Sequence, residues 1–96
     1  MARLKWLPEA LTDFYRLYQF LKDKDEKAAK NAADKILVGT NLLKISPRIG
    51  KPLPDETNRR ELYVAFGASA YVILYLLEGS DTVVIVRVWH SKENRF

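Results

Sequence analysis

The stretch RRELYVAFGASAYVILYLLEGSDTVVIVRVWH, residues 59–90, holds three runs of strand-forming residues separated by two short glycine turns. In 60–66, Leu62, Val64 and Phe66 alternate with Glu61, Tyr63 and Ala65, the period of a strand with one buried face. Gly67-Ala68-Ser69 turns the chain. Residues 71–77, YVILYLL, are apolar on both faces, as a central strand requires. Gly79-Ser80-Asp81 turns it again, and 82–89 form the last strand. Connections this short join antiparallel neighbours, so the stretch reads as a three-stranded antiparallel meander.

Towards the amino terminus, Leu4 and Trp6 alternate with Arg3 and Lys5, which predicts a short strand over 2–6. Pro8 then suits the first turn of a helix, and Glu9 the positive end of its dipole. Leu7, Leu11, Phe14, Leu17, Tyr18 and Leu21 recur at spacings of three and four, predicting an amphipathic helix over 8–22 with Trp6 and Phe14 in the core. Asp23 with Glu26, or Asp25 alone, can cap a second helix. That helix begins with alanines, which let two helices approach near their turn, and ends with larger residues that cover a sheet. It runs to about residue 44 through Gly39, which weakens it by roughly 1 kcal/mol relative to alanine. SPRIGKPLPDETN, 46–58, has three prolines and a glycine and reads as a loop. The expected architecture is α+β: an N-terminal short strand, a helical hairpin, then the meander, in one domain over 1–96.

Composition narrows the chemistry. With 48% hydrophobic and 29% charged residues, the chain has the makeup of an ordinary soluble globular domain. The absence of cysteine excludes disulfides, thiolate catalysis and cysteine-ligated metal, and fits a cytoplasmic location. A single histidine cannot build a histidine metal site, so no metal and no cofactor are expected. The amino terminus shows no signal-peptide pattern, and the longest apolar run, seven residues, falls short of the ~20 that span a bilayer. Net charge is +4, and 44–60 carries Lys44, Arg48, Lys51, Arg59 and Arg60 against Asp55 and Glu56, five minus two, a local +3. Such a surface suits an acidic partner.

The last strand is apolar on both faces. Val84, Val86 and Val88 suffice for a core, which leaves Val83, Ile85, Arg87 and Trp89 on the other side, joined there by Ile73, Tyr75 and Leu77 of the middle strand. An apolar face of that extent predicts a binding surface.

Several short motifs carry a family resemblance. Arg60-Glu61-Leu62 opens the first long strand, Ala70-Tyr71-Val72-Ile73-Leu74-Tyr75 the second, and Arg87-Val88-Trp89-His90 ends the third; Pro47 and Gly50 mark the connector. In their order and spacing they resemble the RelE/ParE superfamily of toxins from type II toxin–antitoxin systems, over nearly the whole chain. The resemblance implies a helical hairpin on a mainly antiparallel sheet, and a cognate antitoxin whose acidic, flexible carboxy-terminal segment wraps the toxin as a hetero-oligomer. Ile73, Tyr75, Ile85, Arg87 and Trp89 are the expected antitoxin-binding residues. A disordered partner that folds on binding can cover such a surface.

The superfamily divides by mechanism. RelE-like members cut messenger RNA on the ribosome, which needs a base, an acid and cations around the scissile phosphate. Where RelE-like enzymes carry a lysine and an arginine in their second and third strands, this chain has Ala65 and Val72. Lys92 stands at a tail arginine position, and the terminal aromatic, Phe96, has no hydroxyl. A second nuclease pattern would use His90 as acid or base with Arg60 and Arg87 as cations. That pattern has a tyrosine where this chain has Ser91. The resemblance is therefore to the ParE-like branch, which poisons DNA gyrase, with the ribosome-dependent endonuclease and a non-toxic antitoxin-binding relative as alternatives.

Overall fold

A computed structural model describes residues 1–93 of the chain. Its elements follow the expected order: β1 (Arg3–Trp6), α1 (Pro8–Lys22), α2 (Glu26–Ile45), β2 (Lys51–Pro52), β3 (Arg59–Phe66), β4 (Ser69–Glu78) and β5 (Thr82–His90). The strands form one sheet in the order β1-β5-β4-β3-β2. The meander is present as β3–β4–β5. At its ends it gains β1, parallel to β5, and the two-residue β2, antiparallel to β3. β2 lay inside the stretch expected to be loop; two residues, one of them Pro52, carry no periodicity.

Local chemistry explains the boundaries. Pro8 and Glu9 open α1, and Asp25 caps α2 by accepting from the N–H groups of Lys27 and Ala28 at 3.0 and 3.2 Å. Asp23 ends α1 instead of starting α2. Gly67 and Gly79 adopt φ of 60° and 64°, a left-handed conformation that the two tight turns require and that side chains with a Cβ resist.

The helical hairpin covers one face of the sheet. Leu17, Ile36 and Leu43 pack there against Tyr71, Ile73, Tyr75, Val83, Ile85 and Val88. Trp6 and Phe14 are partly buried against this core and meet edge to face, with ring centroids 5.7 Å apart. Gly39 brings α2 onto the sheet: a Cβ there would stand 2.8 Å from Val64 Cγ2 and 3.2 Å from Ile73 Cδ1. Gly39→Ala should therefore destabilise the fold by about 1 kcal/mol. Overpacking of ~1–3 kcal/mol exceeds the ~1 kcal/mol gained in helix propensity. Urea titration measures this directly; a rise in stability would show that Val64 can give way.

The second face corrects the sequence reading. Tyr75 pairs with Ile85 and Leu74 with Arg87, so Val86 is an extra, bulged residue in β5. A bulge reverses the in–out alternation beyond it. Ile85 and Val88 thus share the helix-covered face, whereas strict alternation separates them. Ile73, Tyr75 and Ile85 are each 0% exposed in the core, and Leu77 packs against the same cluster. Ile73, Tyr75 and Ile85 therefore present no surface to a partner, and Leu77 is partly buried. Of the five expected antitoxin contacts, only Arg87 and Trp89 stay outside the core. Trp89 pairs with Val72 on the face away from the helices. The small residues of that face, Val72, Leu74 and Val84, are themselves buried in the isolated chain.

Candidate functional site

Two places bring polar chemistry together: the upper half of β5, and a groove beside it. Among the described residues no strand covers β5 past Trp6, and its outward backbone groups need other partners. Side chains supply them. Asp13, on α1, accepts the Val88 N–H at 2.9 Å, and Glu93 accepts the His90 N–H at 2.7 Å. Asp13 also takes two hydrogen bonds from the Arg87 guanidinium, at 2.7 and 3.0 Å, in the bidentate geometry that suits arginine. Arg16 joins the two carboxylates, 3.6 Å from Asp13 and 2.7 Å from Glu93.

Asp13 is nearly buried, and burial alone would raise its pKa. The Arg87 hydrogen bonds, the Val88 N–H and the charges of Arg87 and Arg16 outweigh that, and hold the carboxyl below its ordinary value. The sequence hides this cluster. Asp13 occupies an apolar-stripe position of α1, and the bulge that aims Arg87 around the strand edge leaves no local mark.

His90 ends β5 beside Tyr71, with ring centroids 5.4 Å apart. Its Nδ1 accepts from the Lys92 N–H at 3.1 Å, which assigns the proton of the neutral ring to Nε2. Nε2–H then donates to Ser69 Oγ at 2.9 Å, and that hydroxyl donates to the Phe66 carbonyl at 3.2 Å. In this tautomer His90 offers no basic nitrogen to Ser69, so the pair is not an activated nucleophile. Burial, followed by the Glu93 charge, raises the Tyr71 pKa and keeps its phenol protonated.

Arg60 lies elsewhere. It pairs with Tyr75, four residues along β4 from the Tyr71–His90 pair, a separation of about 13 Å along the strands alone. Its guanidinium donates to the carbonyls of Arg48 and Gly50 at 3.0 and 2.8 Å. The structure does not gather His90, Arg60 and Arg87 around one point. Phe96 lies outside the described residues. Among the described residues no cluster of three His, Asp or Glu side chains could hold a metal ion, and no helix is long and apolar enough to cross a membrane.

The groove runs between α1 and the adjoining ends of β3, β4 and β5, with a volume of about 660 Å³. Leu17, Phe20, Leu21, Phe66 and Tyr71 wall it, and Arg16, Ser69, His90, Lys92 and Glu93 stand at its polar side. Phe20 is 60% exposed, an aromatic anchor open to solvent.

Comparison with known proteins gives a consistent result. The family model described as the ParE toxin of the type II toxin–antitoxin system, parDE, matches residues 4–95. Toxin RelE3 of Caulobacter vibrioides is 39% identical over 88 residues, covering 92% of each chain. Toxin RelE1 of the same organism is 37% identical over 86 residues, covering 90% of this chain and 89% of the relative. Among solved structures, the chromosomal ParDE system of P. aeruginosa superposes with a TM-score of 0.73 at 20% identity, covering 94% of this chain and 96% of that one. The RelBE2 toxin–antitoxin complex of Mycobacterium tuberculosis gives 0.57 at 26% identity, covering 93% and 96%.

Proposed function

Because the chain belongs to the ParE toxin family of type II toxin–antitoxin systems, we propose that it arrests growth by binding DNA gyrase and that a cognate antitoxin neutralises it. What carries this reading is the engagement of the side chains an RNA-cutting site would need. Arg87 is committed to Asp13, Arg60 to two backbone carbonyls on another part of the sheet, and His90 turns a proton towards Ser69. Cations around the scissile phosphate are the core requirement of RNA cleavage; Arg87 is paired with Asp13, and Arg60 keeps its charge but lies about 13 Å along the strands from His90.

The antitoxin is proposed to seat an amphipathic segment in the groove beside α1. Phe20, Leu21 and Phe66 offer it apolar contact, and Lys92 attracts its carboxylates. The family relation to toxins solved with antitoxins supports a partner of this kind.

A second reading keeps one observation. His90, Tyr71, Arg16 and Lys92 do line one groove, and the named relatives are RelE toxins. An RNA endonuclease would use this set, with a different pair of cations from the one expected. His90→Ala separates the two. Under the gyrase reading, expression of the variant without antitoxin still arrests growth and induces the DNA-damage response. Under the endonuclease reading, removing an acid–base group costs about 10²–10⁴-fold in rate, and messenger cleavage and toxicity disappear together.

A further inference from the structure

The sheet ends in two edges, and each leaves backbone groups without a neighbouring strand. On β1, Arg3 N–H donates to the Asp81 carbonyl at 2.6 Å and Leu7 N–H to the Ile85 carbonyl at 3.0 Å. Arg3 and Lys5 therefore bond β5, and by alternation the N–H and C=O groups of Leu4 and Trp6 face outward. On β3, Leu53 N–H donates to the Arg59 carbonyl at 2.9 Å, so Arg59 and every second residue after it face outward. β2 covers Arg60 and Glu61. Gly50 then turns inward, its N–H donating to the Tyr75 hydroxyl at 2.9 Å. Among the described residues no strand lies beside Tyr63 and Ala65, and both are exposed.

The two edges differ in what a second copy would meet. Two antiparallel strands related by a twofold axis satisfy all four outward groups when the axis passes beside the residue between them. At β3 that residue is Val64. Tyr63 then exchanges both hydrogen bonds with the partner's Ala65, and Ala65 with the partner's Tyr63. The small alanine leaves room for the ring beside it. At β1 the middle residue is Lys5, and the same pairing sets Lys5 directly against the partner's Lys5, with Arg3 exposed on the same face. Like charges directly opposite disfavour a pair, and a lysine on an edge strand guards against it. The open stretch of β3 has no such guard.

The layer above β3 fits the same axis. A Cβ on Gly39 would lie 2.8 Å from Val64 Cγ2 and 3.2 Å from Ile73 Cδ1, so α2 runs there above the line between β3 and β4. A twofold axis at Val64 sets the two α2 helices about 10 Å apart, the spacing of packed helices. Val38, next to Gly39, is 67% exposed, and Leu42, four residues on and so on the same flank, is 40% exposed. Charge agrees. The Gly67 end of β3 carries Asp34 and Lys35, which cancel, and the other end carries Arg48, Lys51 and Arg60. Antiparallel pairing brings unlike ends together, so the basic end faces the partner's Asp34 and Lys35 and not the partner's basic end.

We propose that the β3 edge at Tyr63–Ala65, with Val38 above it, is a self-association site through which two copies of this chain pair antiparallel and join their five-stranded sheets into one. Lys51, opposite Glu61, limits the pairing to Tyr63–Ala65, so the contact is small and the dimer reversible, at the weak end of specific interfaces. The site goes beyond the toxin reading and does not depend on the toxin's target.

Sedimentation of the purified full chain up to about 500 µM, with amide hydrogen exchange read residue by residue, tests this. The expected result is a monomer–dimer equilibrium with a Kd of roughly 10–100 µM. As concentration rises through it, exchange at Tyr63 and Ala65 slows about threefold or more, while exchange at Leu4 and Trp6 does not change. Val38→Lys replaces a side chain already mostly in solvent, so the dilute chain keeps its thermal midpoint, and two ammonium groups now meet across the axis. Its Kd should rise about tenfold or more. Ala65→Pro removes an outward N–H that the β3–β4 ladder does not use, and should raise the Kd similarly. A chain that stays monomeric at about 500 µM overturns the proposal. So does a dimer that Val38→Lys leaves unchanged, or one whose protection falls on Leu4 and Trp6. Slowing at Tyr63 and Ala65 that appears only with the protein encoded by the adjoining reading frame assigns the edge to that partner and overturns it as well.

Discussion

Asp13→Ala is expected to lower the stability of the chain by about 3 kcal/mol, a large share of the ~5–15 kcal/mol typical of a small domain. The carboxylate is 4% exposed, and it satisfies the Val88 N–H while receiving both arms of the Arg87 fork. Alanine leaves a buried N–H without an acceptor and removes the charge that faces two guanidinium groups. A shift of roughly 10–20 °C in thermal midpoint follows for a domain of this size. Arg87→Ala should cost less, because its side chain is 49% exposed and water can replace part of what it loses. Comparable losses for the two variants would contradict the view that Asp13 is the hub.

The pH dependence carries a definite sign. Asp13 has a folded pKa below its ordinary value of 3.8, so the folded state favours its ionised form. The stability this contributes is present above the unfolded pKa near 4, and is lost as pH falls through the lower folded value. The difference between wild type and Asp13→Ala should therefore be constant from neutral pH down to about 5 and shrink below about 4. A difference that instead grew on acidification would show the opposite linkage.

Gly50→Ala is the second large effect. A Cβ at Gly50 would lie 2.5 Å from the Tyr75 hydroxyl, 2.7 Å from its Cε1 and 3.0 Å from the Glu61 carbonyl oxygen. Tyr75 is fully buried and cannot swing aside, because its hydroxyl accepts from Gly50 N–H and donates to the Pro47 carbonyl at 2.8 Å. The connector must move outward, breaking both bonds and the Arg60 contacts with Arg48 and Gly50. The expected loss is about 2–3 kcal/mol, read from the urea midpoint. Tyr75→Phe removes the closest atom of the clash, so the double variant should cost less than the sum of the two single losses. Simple additivity would mean that the hydroxyl does not pin the connector.

The sequence carried the fold wherever periodicity or turn chemistry was local. Pro8 with Glu9, the Asp25 cap, the two glycine turns and the alternation of Leu62, Val64 and Phe66 each mark an element boundary or a buried face. The candidate site was less legible, for a physical reason. Strict alternation assigned Ile73, Tyr75 and Ile85 to an outer face, but the helices cover that very side of the sheet, and the bulge at Val86 then brings Val88 onto it as well. A bulge of ordinary valine among valines has no compositional mark. Asp13 was invisible for a similar reason: its partners are 74 and 75 residues away in the chain. Gly50 stood out as a connector glycine, but the tyrosine that requires it could be found only in three dimensions.

On the reading proposed above, this toxin acts by binding gyrase and not by cutting RNA. Purified chain, freed of antitoxin, can be added in parallel to a gyrase supercoiling reaction and to ribosomes translating a defined messenger. The expected result is loss of supercoiling with intact messenger, in both wild type and His90→Ala. Messenger cleavage that requires ribosomes and disappears in His90→Ala, with supercoiling untouched, would contradict the claim.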